Sequence, residues 1–159
     1  MARSALLRSG KGLGTPGTTR KKRQADAARA SAPSLDDHFV ERNGVRCAGA
    51  HLVVDLYQAE RLDDLDHIET TLRACVDAAG ATLLHIHLHR FEPSGGVSGV
   101  AVLAESHISI HSWPEHGYAA LDIFMCGNTN PDVCVPLLRE AFAARKISVS
   151  EHLRGCGLG

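Results

Sequence analysis

Residues 105–117 read Glu-Ser-His-Ile-Ser-Ile-His-Ser-Trp-Pro-Glu-His-Gly. Three serines, three histidines and the only tryptophan crowd this run, and Cys126 follows a few residues later. Ser106, His111 and Cys126 stand out as groups that could do chemistry. A serine hydroxyl with an imidazole to take its proton can attack a carbonyl, so the pair suggests acyl transfer. Two features weigh against an ordinary hydrolase. The GxSxG elbow is absent, and local sequence places no aspartate to orient the histidine. Spacing is a further obstacle. Residues five apart on an unbroken strand face opposite ways, so a bend or bulge near Ser106 is needed to unite it with His111. Each residue also has a plainer reading: a hydrogen-bonded strand serine, a satisfied core histidine, a small buried cysteine.

The elements that must position these groups can be read from periodicity. Ile108 and Ile110 alternate with His107, Ser109 and His111, which predicts a strand with one polar face; Trp113-Pro114 ends it. Residues 50–57 are nearly continuous in apolar side chains and predict a central strand. Residues 62–79 carry Leu62, Leu65, Ile68, Leu72, Cys75, Val76 and Ala79 at helical spacing, with Gly80 as the C′ residue. Residues 82–91 alternate Leu84, Ile86 and Leu88 with His85, His87 and His89. Histidines two apart on a strand can ligate a metal, but no third ligand has suitable spacing, so no metal is expected. Residues 97–104, 118–126 and 146–153 predict further strands. Asn130-Pro131 opens a second helix that contains Pro136, so this helix either kinks or starts later. Asn43-Gly44 marks a turn in an approach segment spanning residues 34–48.

Short links between successive strands imply hairpins. The expected fold is therefore α+β: a two-layer sandwich with a mainly antiparallel sheet and two helices on one face. Two helices cover only one side of such a sheet. The histidine-lined side needs water or a second copy, and a face-to-face homodimer is the economical solution.

Composition sets the outer bounds. The chain has 159 residues, 44% of them hydrophobic, enough for one domain with a core. No apolar run approaches the roughly 18–20 residues that span a bilayer, so no membrane role is expected. The five cysteines form no CxxC, so neither a disulfide framework nor a zinc knuckle is suggested and a cytoplasmic setting is the simplest. Charge is uneven: residues 1–33 hold eight Lys or Arg and one Asp, whereas the remainder holds nine basic and seventeen acidic residues. Residues 1–33 are expected to be a disordered basic extension, and 34–159 the folded domain. A transit peptide and a nucleic-acid contact are open to this extension. The favoured reading is a solvated tail, because no stacking aromatics accompany Arg20-Lys21-Lys22-Arg23.

The run from Glu105 to Gly127 resembles the signature of the bacterial and archaeal S-adenosylmethionine decarboxylases. The resemblance extends to Gly49-Ala50-His51-Leu52, His89-Arg90-Phe91 and Gly96-Val97-Ser98-Gly99, and covers roughly residues 46–153. It implies a pyruvoyl group made from the chain itself, with no added cofactor. Ser106 attacks the carbonyl of Glu105, the amide becomes an ester, and elimination and hydrolysis leave a pyruvoyl group. The products are a β chain, 1–105, and an α chain, 106–159. By resemblance His111 is the base for processing, with Ser98 supporting it. The pyruvoyl ketone then forms a Schiff base with S-adenosylmethionine and accepts the electrons released with carbon dioxide. Cys126 is implied as the acid that protonates the product. Phe91 matches an aromatic that stacks on adenine, and Glu115 an acid that binds the ribose. The implied assembly is a homodimer of cleaved protomers that supplies spermidine synthesis. Two alternatives stand beside this reading: the same chemistry on ornithine or arginine, and a non-catalytic homologue.

Overall fold

The structure is a computed structural model that describes residues 38–158; the basic extension expected over 1–33 lies outside the described residues. Two short strands, β1 (Val40–Arg42) and β2 (Val45–Cys47), form a hairpin where only an approach segment was expected. Its turn is the expected Asn43-Gly44, with φ of 53° and 75°. A turn with two left-handed residues matches the natural twist of paired strands, and Asn-Gly accepts it readily.

Strands β3 (Gly49–Tyr57), β4 (Leu83–Arg90), β5 (Val97–Leu103), β6 (Ser106–Trp113), β7 (Tyr118–Met125) and β8 (Lys146–Arg154) form one sheet in the order β4-β5-β6-β7-β3-β8. Every neighbouring pair is antiparallel. The α+β architecture read from the short links is therefore the observed one.

Helices α1 (Leu65–Ala78) and α2 (Cys134–Ala141) cover one face. Asp64 caps α1 by accepting from the His67 N–H at 3.0 Å. Gly80 adopts φ 72°, as a C′ residue should. The second helix starts later rather than kinking. Asn130 and Pro131 open a 3₁₀ turn, Pro131–Val133, and α2 begins at Cys134. Pro136 thus falls in the first turn, where its missing N–H costs nothing.

The core lies between this helical layer and alternate sheet residues. Leu52, Leu56, Ile108, Ile110, Leu121 and Ile123 meet Ile68, Leu72, Leu138 and Phe142, all fully buried. Gly99 lets β4 close against β5, since a Cβ there would lie 2.2 Å from Leu88 Cδ2 and 2.5 Å from the His87 carbonyl oxygen. Among the described residues no helix is long and apolar enough to cross a membrane.

The other sheet face carries the odd-numbered residues of β3, β4, β6 and the even-numbered residues of β5 and β7. Register lays His85, Val102, His107, Phe124, His51 and His152 across it in one row. Nearer the other end, His89, Ser98, His111, Ala120 and Asp55 form a second row.

Candidate active site

Ser106 is the first residue of β6, directly after the two-residue turn Ala104–Glu105 that joins it to β5. Glu105 sits at φ 65°, in the left-handed region that favours glycine. A non-glycine residue held there costs roughly 1–2 kcal/mol. The Glu105-Ser106 peptide bond therefore lies in a strained corner. The Glu105 carboxylate pairs with His38, whose carbonyl accepts from the Gly127 N–H at 2.9 Å.

Cys126 follows β7 and reaches this corner from the neighbouring strand. Its Sγ donates to the Glu105 carbonyl oxygen at 2.9 Å, and its N–H donates to Ser106 Oγ at 3.3 Å. Ser106 Oγ and Cys126 Sγ are 3.5 Å apart. With the thiol proton on the carbonyl, the remaining bond runs from the serine hydroxyl to the sulfur. The nucleophile candidate, the carbonyl it would attack and an acid candidate thus share one hydrogen-bonded cluster. Ser106 is 7% exposed.

His111 is not in this cluster. β6 pairs in unbroken register from Ser106 to Trp113, with neither bend nor bulge near Ser106. At about 3.3 Å per residue, five residues separate the two by roughly 16 Å. The side chains also face opposite sides of the sheet: Ser106 is buried with Ile108 and Ile110, whereas His111 is exposed. His111 Nδ1 instead pairs with Ser98 Oγ at 2.7 Å, across the β5–β6 register. The bulge required for a single-chain Ser106–His111 pair is therefore absent.

The two remaining candidates sit at the His111 end. Phe91 follows β4, 47% exposed, with its ring edge-on to His89 at 4.6 Å. Glu115 lies exposed in the 3₁₀ turn Pro114–His116. Trp113 and Tyr118 pack with ring centroids 5.3 Å apart and planes tilted by 33°. Tyr118 Oη donates to Asp55 Oδ1 at 2.6 Å, and this bond to a carboxylate, with some burial, pushes the phenol up to about 12.

A further group had no role in the sequence reading. Asp122 accepts from Ser109 Oγ at 3.2 Å and lies 3.1 Å from His51 Nε2, while Arg154 approaches His51 Nδ1 at 3.3 Å. His51, His107, Phe124 and Arg154 line a cleft of about 220 Å³ next to the Ser106 end. Small-molecule pockets usually span roughly 300–1,000 Å³, so this cleft is smaller than a usual ligand site. A larger hollow, about 440 Å³, is lined by Asp63, Asp64, Leu65, Asp66 and Arg90 and contains none of the candidate residues. His51 stands in the motif Gly49-Ala50-His51-Leu52, but only the pairing of β3 with β7 joins it to Asp122.

The sequence model of the S-adenosylmethionine decarboxylase family matches residues 50–155, which contain every one of these groups except His38. The chain belongs to the S-adenosylmethionine decarboxylase family. Its relatives include an S-adenosylmethionine decarboxylase proenzyme of Thermomicrobium roseum, 44% identical over 112 residues, which are 70% of this chain and 97% of that one. The proenzyme of Methanococcus aeolicus is 46% identical over 110 residues, 67% of this chain and 93% of its own. A crystal structure of the Aquifex aeolicus adenosylmethionine decarboxylase superposes with a TM-score of 0.61 at 34% identity, covering 67% of this chain and 90% of that one. Membership in the S-adenosylmethionine decarboxylase family thus rests on sequence and fold together.

Proposed function

We propose that the chain is a self-cleaving decarboxylase of S-adenosylmethionine, active as a homodimer in the cytoplasm and feeding spermidine synthesis. The observation that carries the reading is the corner at Glu105-Ser106. There a strained peptide bond has a serine hydroxyl on one side and a thiol hydrogen-bonded to its carbonyl on the other.

Cleavage follows from these groups. Ser106 Oγ adds to the Glu105 carbonyl carbon while Cys126 Sγ–H stabilises the carbonyl oxygen. The C–N bond breaks and leaves an ester between Glu105 and Ser106. Loss of the Ser106 α-proton then expels the Glu105 carboxylate, and hydrolysis of the dehydroalanine gives a pyruvoyl group and ammonia. The hydroxyl on Ser106 Cβ can both attack and, once acylated, leave, which an alanine could not do. The residues at the corner fit such a group: Ser106 starts a strand, so the new terminus is held by the ladder, and Cys126 stays within reach. The pyruvoyl group supplies an electron sink for the electrons of the departing carboxylate. Cys126 Sγ then delivers a proton to the former α-carbon of the substrate, a general-acid role suited to a thiol.

His111 is proposed to serve cleavage from a second copy. When Nδ1–H donates to Ser98 Oγ, Nε2 keeps its lone pair for base work. Within one chain this nitrogen is far from Ser106 and on the other side of the strand. Two copies stacked through their open sheet faces, about a twofold axis crossing the strands, set the Ser106 end of one against the His111 end of the other. The same rotation brings Phe91 and Glu115 of one copy towards the Ser106 corner of the other, and adds walls to the small cleft. Phe91 is assigned to adenine stacking and Glu115 to the ribose hydroxyls.

Carbon dioxide release from S-adenosylmethionine, ornithine and arginine tests the reading. Release from S-adenosylmethionine alone is expected. Preferential release from either amino acid would transfer the chemistry to that substrate, and release from none would leave a non-catalytic homologue.

A further inference from the structure

The five cysteines of the described chain are free thiols, yet four of them meet in two pairs that sequence spacing does not reveal. Cys75 of α1 and Cys134 of α2 are fully buried against each other. Cys134 Sγ donates to the Cys75 carbonyl at 3.6 Å, and Cys75 Sγ lies 4.0 Å from the Cys134 carbonyl oxygen. Cys47, at the end of β2, and Cys156, just past β8, form the other pair. The Ala48 N–H donates to the Arg154 carbonyl at 2.8 Å, one residue from the last β3–β8 partners, Gly49 and Arg154. A Cβ placed on Gly155 would come within 2.7 Å of Ala48 Cβ, so the two segments are pressed together. Burial first, and then the adjacent Cys156 thiol with its hydrogen bond, push the Cys47 thiol up. Cys47 is fully buried, whereas Cys156 is exposed.

Each pair has one member before residue 105 and one after it. We propose that Cys47 and Cys156 form a reversible disulfide that covalently joins the two chains produced by cleavage at Glu105-Ser106. The joining of two chains rests on the self-cleavage reading; the disulfide itself does not. Cys47 directly precedes Ala48 and Cys156 directly follows Gly155, so the close approach of Ala48 and Gly155 brings the two cysteines next to each other; a disulfide requires their Cα atoms within roughly 4.4–6.8 Å.

The oxidant is a low-molecular-weight disulfide such as oxidised glutathione. The exposed Cys156 attacks one of its sulfurs as a thiolate, which forms a mixed disulfide and releases one small thiol. Cys47 then attacks Cys156 Sγ, which forms the protein disulfide and releases the second. Two protein thiols are oxidised, one small disulfide is reduced, and the two thiol protons leave on the products. Cys75 and Cys134 stay reduced, because no oxidant reaches a fully buried pair.

The test treats the purified full-length protein with oxidised glutathione, followed by denaturing gels with and without reductant and peptide mapping by mass spectrometry. The oxidised protein is expected to run as one species that dithiothreitol splits into chains 1–105 and 106–159. Cys156→Ser should show two chains in every lane. Two separate chains after oxidation of the wild type, a joined species that persists in Cys156→Ser, or a Cys156-dependent band of twice the mass would each overturn the proposal. A full-length band that survives reductant would reject self-cleavage instead. The disulfide is then judged by the Cys47–Cys156 peptide pair, whose absence overturns it.

Discussion

Co-expression of two inactive variants tests the division of the site between copies. One variant is Ser106→Ala, which cannot cleave itself but keeps Ser98 and His111. The other is His111→Ala, which keeps the Glu105-Ser106 corner and lacks the base. Within one chain the roughly 16 Å between these residues, on opposite strand faces, prevents direct proton transfer. Each variant alone should therefore accumulate as precursor. In a dimer of one chain of each kind, the proposed stacking sets the intact His111 at the end of the sheet that holds the intact Glu105-Ser106 corner. Random pairing of equal amounts gives homodimers and heterodimers as 1:2:1, so about half of the His111→Ala chains should be cleaved. The Ser106→Ala chains should stay whole. Distinct affinity tags and a denaturing gel separate the two, and mass spectrometry of the cleaved chain identifies its parent. Cleavage of His111→Ala expressed alone, or no cleavage after co-expression with heterodimers recovered through both tags, would refute the division.

Other perturbations probe single contacts. Glu105→Gly removes the left-handed strain of roughly 1–2 kcal/mol; if that strain is released on attack, precursor cleavage should slow by about 5- to 30-fold, and an unchanged half-life would reject the strain argument. Cys126→Ala should still self-cleave, more slowly for want of the thiol at the Glu105 carbonyl, and lose about 100-fold or more in kcat; wild-type turnover would refute its role as proton donor. Tyr118→Phe loses the bond to Asp55, worth about 1 kcal/mol in denaturant melts. Because the Tyr118 phenol is raised from 10.0 to about 12 in the fold, its contribution is whole below pH 10 and is lost as pH rises to about 12. Tyr118→Phe should show a flatter stability profile there, and an identical alkaline loss would contradict this.

The fold was legible wherever one physical signal dominated. Alternation in Ile86–His89 and His107–His111 gave the strands and which residues share a face; Leu84, expected beside Ile86 and Leu88, is instead 64% exposed, because a register shift between Leu83 and His85 turns Leu83 to the core. Helical spacing with Gly80 gave α1, and Pro136 flagged the late start of α2. The β1–β2 hairpin was missed around its turn because three-residue strands are too short to show a period. In the site, the sequence named Ser106, His111 and Cys126, but strand order decides which of them meet. Cys126 reaches Ser106 because β7 lies beside β6, and Ser98 reaches His111 because β5 lies on β6's other side. The bulge near Ser106 was demanded by pairing it with His111 within one chain, and the unbroken register of β6 leaves no such pair. Local spacing likewise hid Asp122 beside His51 and Cys47 beside Cys156, contacts made by distant strands.

Mass spectrometry of the purified protein, reduced and denatured, tests the central claim most directly. Two chains are expected, 1–105 and 106–159, with the second carrying a pyruvoyl group in place of Ser106. A single intact chain, or a chain that begins with an unmodified Ser106, would contradict it.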